Sequence, residues 1–256
     1  MIKEYKIGEL TVRQAETRTG MGEDAASMVA ERINKLLTKH AAINIIFAAA
    51  PSQNEFLKAL QEKDVNWAQV HAFHMDEYIG LDKNAPQGFG NFLKERLFDV
   101  LPFKSVHYLD GNAADIDAEC HRYTALLQKH PVDIVCMGIG ENGHIAFNDP
   151  PVADFHDTKW VKTVQLDEIC RQQQVNDGCF SNITEVPTHA LTLTIPALMA
   201  AKYIYCIVPA ASKAEAVYNT LHKEIMEQYP STILRNQDNA VLYLDGDSSR
   251  LVFIPA

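Results

Sequence analysis

VDIVCMGIGENGHIAFNDPP, residues 132–151, joins an apolar run to a glycine-rich loop, and its reading decides the fold. VDIVCM (132–137) has the length and composition of a strand buried on both faces. Gly138, Gly140 and Gly143 then fall at the G-x-G-x-x-G spacing of a dinucleotide-binding loop. That loop works only when its glycines turn straight into a helix whose N-terminus faces the pyrophosphate. Here Pro150 and Pro151 follow so closely that at most one helical turn fits, and no acidic residue closes a following strand about twenty residues on. The glycines serve instead the polar residues among and after them, Glu141, Asn142, His144 and Asp149, and no nucleotide cofactor is expected.

Outward from this stretch, short apolar runs alternate with helical spacing, the pattern of a parallel sheet wrapped by helices. INIIFAAA (43–50) precedes the helix-like NEFLKALQEK (54–63), and VHAFHMD (70–76) runs through a polar loop to the amphipathic GNFLKERLFDVL (90–101). AADIDAECHRYTALLQKH (113–130) places Ile116, Cys120, Tyr123 and Leu127 on one helical face. Beyond residue 187, HALTLTI (189–195) alternates like a half-buried strand, PALMAA starts a short helix, and KYIYCIVP (202–209) reads as a buried strand. SKAEAVYNTLHKEI (212–225) is a helix with Ser212 and Glu215 spaced as a capping box, and NAVLYLD (239–245) is the last strand. The expected fold is therefore α/β, a Rossmann-like, mostly parallel sheet with helices on both faces, in a single domain over residues 1–256. The irregular stretch from Gly138 to Gly178 holds more loop than a scaffold requires.

Ligands of open α/β sheets sit at the carboxyl ends of the strands. The candidates are thus Ala48 to Gln53, Asp76 with Glu77, Gly138 to Asp149, and Pro209 to Lys213. Each also has a plain structural reading: His144 as a backbone cap, Asp149 as a turn before proline, HMDEY (74–78) as a solvated acidic turn, Lys213 as a surface lysine. Together they suggest chemistry. A histidine beside a carboxylate is held in one tautomer for proton transfer near neutral pH. A strand-end carboxylate suits proton abstraction next to a carbonyl, and a lysine in the first turn of a helix is unfavourable unless an anion binds.

The rest of the composition mainly excludes. A formal charge of −10 disfavours nucleic acid, and no apolar stretch is long enough for a membrane span. MIKEYKIGELTV lacks the apolar core of a signal peptide, and five scattered cysteines without a CxxC pair read as reduced thiols of a cytoplasmic protein. His71 and His74 of HAFH fall on opposite faces of a strand, no HxH or HExxH spacing occurs, and no resident metal is expected.

FHMDEYIGL (73–81) and MGIGENGHIAFNDPP (137–151) together resemble the glucosamine-6-phosphate deaminase (isomerase) family, within the larger group that includes 6-phosphogluconolactonases. LDGNAADIDAECHRY (109–123) and Ser212-Lys213 extend the resemblance, in matching order, over roughly residues 30–245. It implies a reaction without metal or cofactor, in which a hexosamine 6-phosphate opens, isomerises and loses ammonia to give a ketose phosphate. By position Asp76 matches the base that moves the proton between C1 and C2, and His144 matches the ring-opening acid. Asp149 stands where the family has a glutamate supporting that histidine, and Lys213 matches a phosphate ligand. The segment at about 150–187 matches a mobile lid. Ala50, Ser52, Gln53, Glu77, Gly138 and Gly140 fall on the substrate-binding loops, and backbone N–H groups of the glycine loop are candidates to steady a developing enediolate.

Three departures stand out. Asn142 occupies the place of a common aspartate, as in related galactosamine-6-phosphate isomerases. AAAPSQ (48–53) replaces a Gly-Gly-Thr or Gly-Gly-Ser phosphate loop, leaving Ser52 and Gln53 as its polar groups. The lid's phosphate-binding arginine falls at RQQQ (171–174), on Arg171 or Gln174. The longer tail of allosteric hexamers has no counterpart, so allostery is not expected, and a homo-oligomer is left open. The resulting expectation is conversion of glucosamine 6-phosphate to fructose 6-phosphate and ammonia. Its alternatives are a galactosamine-6-phosphate isomerase, a 6-phosphogluconolactonase, or a sugar-phosphate binder without catalysis.

Overall fold

The run at 132–137 lies inside an eight-stranded sheet of the computed structural model, which describes residues 1–252. In chain order the strands are β1 (Lys3–Ile7), β2 (Leu10–Gln14), β3 (Ile43–Phe47), β4 (Val70–His74), β5 (Asp76–Tyr78) and β6 (Ser105–His107). They continue with β7 (Ile134–Met137), β8 (Val161–Gln165), β9 (His189–Leu193), β10 (Tyr203–Val208) and β11 (Ala240–Leu244). The large sheet runs β1-β2-β11-β10-β7-β3-β4-β6, parallel throughout except for the β1–β2 hairpin at its edge. From β3 the chain moves outward through β4 to β6, then returns to β7 on the other side of β3 and moves outward again through β10 to β11. The order reverses between β3 and β7, so their carboxyl ends flank the crevice in which such sheets bind ligands.

Alternate residues of the central strands feed two cores. Ile45, Phe47, Cys136 and Ile207 face α1 (Arg18–Leu37), α2 (Asn54–Gln61) and α3 (Phe89–Leu93). Ile46, Val135, Met137 and Cys206 face α4 (Ile116–Lys129) on the opposite side. The remaining helices are α5 (Glu168–Asn176), α6 (Ile195–Met199) and α7 (Ala214–His222), and α6 and α7 pack on that second core. Each fully buried Val, Leu or Ile contributes roughly 1.5–3 kcal/mol, so the parallel strands carry much of the stability while leaving their ends for function.

Several expectations change. The 20-residue α1 had no counterpart in the sequence reading; Thr17 caps it by accepting from the Gly20 N–H at 3.1 Å. Gly22 is required there, because a Cβ would meet the backbone of Glu55 at 2.8 Å. HALTLTI is not half-buried: Ala190 to Leu193 are all buried, because β9 is the middle strand of a small antiparallel sheet, β5-β9-β8. No capping box forms at Ser212. A 3-10 turn spans Ala211–Lys213, Lys213 takes the cap position, and α7 ends at His222 rather than at 225. The stretch taken as irregular to residue 187 contains β8 and α5. All five cysteines are free.

Candidate active site

Over the β3–β7 crevice the strand ends enclose a cavity of about 70 Å³. The end of β3 contributes Ala50, Ser52 and Gln53. Ala50 is extended, φ −163 and ψ 155, so the alanine loop follows a path that needs no glycine. Gln53 is buried; its Nε2 donates to the Ile207 carbonyl at 3.1 Å and to Ser52 Oγ at 3.2 Å, while its Oε1 has no partner.

Asp76 opens β5, where its backbone pairs with Thr192 of β9. Among the described residues nothing hydrogen-bonds its carboxylate, which faces the cavity. Burial and the neighbouring Glu77 charge push it well above the ordinary aspartate range. The backbone here is held by His74, which is fully buried: its Nε2 accepts from the Leu109 N–H at 2.9 Å, so Nδ1 donates to the Asp76 carbonyl, also at 2.9 Å. Burial holds His74 down at about 4, hence neutral. Glu77 turns away from the cavity and accepts from the N–H groups of Phe89 and Gly90, at 3.0 and 2.8 Å, capping α3.

The loop after β7 is built around His144. Its imidazole lies over Gly140, where a Cβ would overlap the ring, so glycine is needed for space rather than for φ. The Gly140 N–H donates to the His144 carbonyl at 2.9 Å, and the Glu141 N–H to Gln173 Oε1 at 2.8 Å. Those two groups hold the loop and tie it to α5, and are not free to steady an enediolate. Asn142 links the pair: its Oδ1 accepts from the His144 N–H at 3.0 Å, and its Nδ2 donates to Asp149 Oδ1 at 2.8 Å. His144 Nδ1 lies 2.9 Å from the same oxygen, close but out of line for a straight hydrogen bond. Burial pushes Asp149 up, yet the His144 charge beside it, the Asn142 hydrogen bond and the nearby Cys170 thiol leave it below its ordinary value. Asn148 donates to the carbonyls of Ile145 and Leu193, both at 2.8 Å, tying the loop exit to β9.

Lys213 reaches the cavity from the turn before α7, where Ala210 adopts φ 84 and donates its N–H to the Asp245 carboxylate. The ammonium is buried and forms no ion pair among the described residues; burial lowers its pKa, against the pull of Asp177 and Glu141. An unpaired buried cation facing a cavity is a receptor for an anion. Gln173, Gln174 and Asp177 of the α5 region close the top. Arg171 does not line this cavity. Its Nη2 donates to the carbonyls of Ile183 and Val186 at 2.7 and 2.8 Å, cross-bracing the segment that follows α5.

Residues 16–243 match the family described as glucosamine-6-phosphate isomerases/6-phosphogluconolactonase. The chain belongs to this family. A glucosamine-6-phosphate deaminase from Streptococcus suis is 35% identical over 206 residues, covering 80% of this chain and 86% of its own. Another, from an Exiguobacterium species, is 34% identical over 237 residues, covering 93% and 90%. The solved structure of a monomeric glucosamine-6-phosphate deaminase of the NagB superfamily superposes with a TM-score of 0.85 at 27% identity, covering 94% of this chain and 99% of that one. A 6-phosphogluconolactonase from Thermotoga maritima shares the fold, with a TM-score of 0.74 at 19% identity over 92% of this chain and 99% of its own.

At this cavity the sequence does not mark His74, Gln173 or Asp177. His74 stands two residues before Asp76 in HMDEY, a spacing that could have suggested a positioning role. Gln173 and Asp177 gave no such signal, because only the folded α5 region brings them to the cavity beside the β7 loop.

Proposed function

We propose that the protein is a glucosamine-6-phosphate deaminase: it isomerises glucosamine 6-phosphate and hydrolyses the product to fructose 6-phosphate and ammonia. The observation that carries this reading is a buried carboxylate, Asp76, unpartnered among the described residues, in one cavity with an unpaired ammonium and with His144, which Asp149 backs from outside the cavity. His144 protonates the ring oxygen while the anomeric hydroxyl gives its proton to water, so that the C1–O bond to the ring breaks and the aldehyde forms. Asp76 takes the C2 proton and returns it to C1, which reduces the aldehyde carbon and oxidises the amine-bearing carbon to an imine. Water cleaves the imine, giving the ketose and ammonia. A base with a raised pKa suits this step, since its ionised form is the stronger proton acceptor.

Lys213, Ser52, Gln53 and Gln174 are the groups we assign to the phosphate, while Gly138 and Gly140 leave room for Gln53 and the His144 ring where the loop borders the sugar. Arg171 reaches the anion only if α5 rearranges. A cavity of about 70 Å³ holds a few waters, far below the ~300 Å³ at which small-molecule sites begin. The α5 segment therefore acts as a lid that must retreat for the sugar to enter, releasing the Gln173–Glu141 contact.

The protein's place in amino-sugar breakdown and its cytoplasmic residence belong to the same proposal; free cysteines and the lack of any helix, among the described residues, long and apolar enough to cross a membrane are consistent with it. The test is incubation with glucosamine 6-phosphate and assay of both products. Stoichiometric ammonia and fructose 6-phosphate are expected. Turnover of only the galacto epimer or of 6-phosphogluconolactone would replace this reading, and no turnover of any of them would leave a binder.

A further inference from the structure

Besides Gln53 Oε1, two buried polar atoms next to the cavity lack an aligned hydrogen-bond partner among the described residues: Oδ2 of Asp149, whose residue is 1% exposed, and Nδ1 of His144. The thiol of Cys170 stands next to them, carried in by α5. One ligand atom from each residue lies within 4.8 Å of the others, and all three residues are buried. An imidazole nitrogen, a carboxylate oxygen and a sulfur in one buried cluster form a donor set suited to a borderline-soft divalent ion. Asn142 already occupies Asp149 Oδ1, which leaves Oδ2 for a ligand and supplies the outer hydrogen bond that steadies a metal-bound carboxylate.

We infer that His144, Asp149 and Cys170 form an inhibitory binding site for Zn²⁺. Tetrahedral zinc, with bonds of about 2.0–2.3 Å, draws its donors to roughly 3.5 Å apart, so the cluster contracts by about an ångström as the ion enters. Water completes the shell. Asp149 also lines an open depression behind α5 with Pro151, Leu166 and Arg171, which gives the ion a way in that does not pass through the sugar cavity. The thiol gives up its proton to solvent as the Zn–S bond forms, so binding strengthens as pH rises.

Inhibition has two parts. The ion occupies the Nδ1 face of His144 and the Asp149 carboxylate, removing the pair from proton transfer. It also ties Cys170 of the lid to the β7 loop, fixing α5 in its closed position. Ion binding stands independently of the catalytic reading, whereas its effect on turnover rests on the deaminase proposal.

Cobalt titration of the purified, chelator-stripped protein tests the site, because Co²⁺ replaces Zn²⁺ and reports sulfur ligation by absorbance. One equivalent of Co²⁺ with a thiolate-to-cobalt charge-transfer band is expected, displaced by Zn²⁺ and missing in both Cys170→Ala and Cys170→Ser, with folding checked by circular dichroism. In parallel, stoichiometric Zn²⁺ lowers wild-type ammonia release at least tenfold, a chelator restores it, and Cys170→Ala gives the same rate with and without Zn²⁺, whatever its metal-free rate. A wild type that gives the cobalt band but no turnover when metal-free supports the site and counts against the deaminase reading. No thiolate band, or a band that persists in both folded Cys170 variants, overturns the site. That second result would move the ion to another of the free cysteines, such as the half-buried Cys179.

Discussion

The strand end that carries Asp76 and the loop that carries Asp149 border the same cavity and treat the same side chain in opposite ways. At β5 the fold buries a carboxylate and gives it nothing to bond, and the neighbouring Glu77 adds repulsion. In the loop after β7 it surrounds the carboxylate with His144, Asn142 and the Cys170 thiol, which together outweigh burial. A carboxylate kept free and raised is free to take and return protons, whereas one held and lowered orients and steadies its partner. The first arrangement costs stability at neutral pH and the second adds to it, so one mutation type has opposite effects at the two places.

The largest expected effect comes from Asp76→Asn. It should lower kcat about a thousandfold, within the range of a lost general base, and raise thermal stability, measured by kinetics and calorimetry on one preparation. The sign follows from the raised pKa: ionised Asp76 penalises the fold at pH above the ordinary aspartate value, and the amide removes that penalty, which raises the melting temperature. Asp149→Asn should also slow turnover, by about a hundredfold, but with a lower melting temperature. Its lowered pKa contributes stability above the unfolded value that fades as pH falls through the folded one. Equal melting shifts in the two variants would break the comparison.

The backbone beneath Asp76 extends the contrast into acid. His74 is held down at about 4, so it stays neutral while the unfolded chain protonates. Stability should therefore fall as pH drops from about 6.5 towards 4, by roughly 3 kcal/mol from this residue. Burial and the His130 charge also lower His107 to about 4, adding in the same direction. Urea melts at steps between pH 7 and 4 measure this, and His74→Gln should flatten the slope. The smallest effect concerns the turn that carries the cation Lys213 into the cavity. Ala210, ahead of Lys213, sits at φ 84 and ψ 148, a region that favours glycine. Ala210→Gly should stabilise the protein by about 1 kcal/mol, read as a shift in the denaturation midpoint.

The sequence made the parts of this contrast legible unevenly. Strands β3, β7, β10 and β11 stood out because a parallel strand buried on both faces is an unbroken apolar run. Asp76, His144, Asp149 and Lys213 then followed from their places at strand ends. Helix α1 was hidden because Gly20 and Gly22 break its first turns, and the reason for Gly22 lies in α2, far along the chain. The small sheet was hidden because β5 is three residues long and its partners come from residues 161–193. The Asp149 contacts followed partly from Asn142 and His144 nearby, but Cys170 arrives on a helix whose QQQ-rich sequence carries no apolar period.

The most direct test of this account is a titration of the two carboxyl groups by ¹³C NMR on aspartate-labelled protein, assigned with Asp76→Asn and Asp149→Asn. The account predicts that Asp76 titrates well above the ordinary aspartate value of about 3.9 and Asp149 below it. Overlapping titrations, or Asp149 above Asp76, would contradict the division of roles between them.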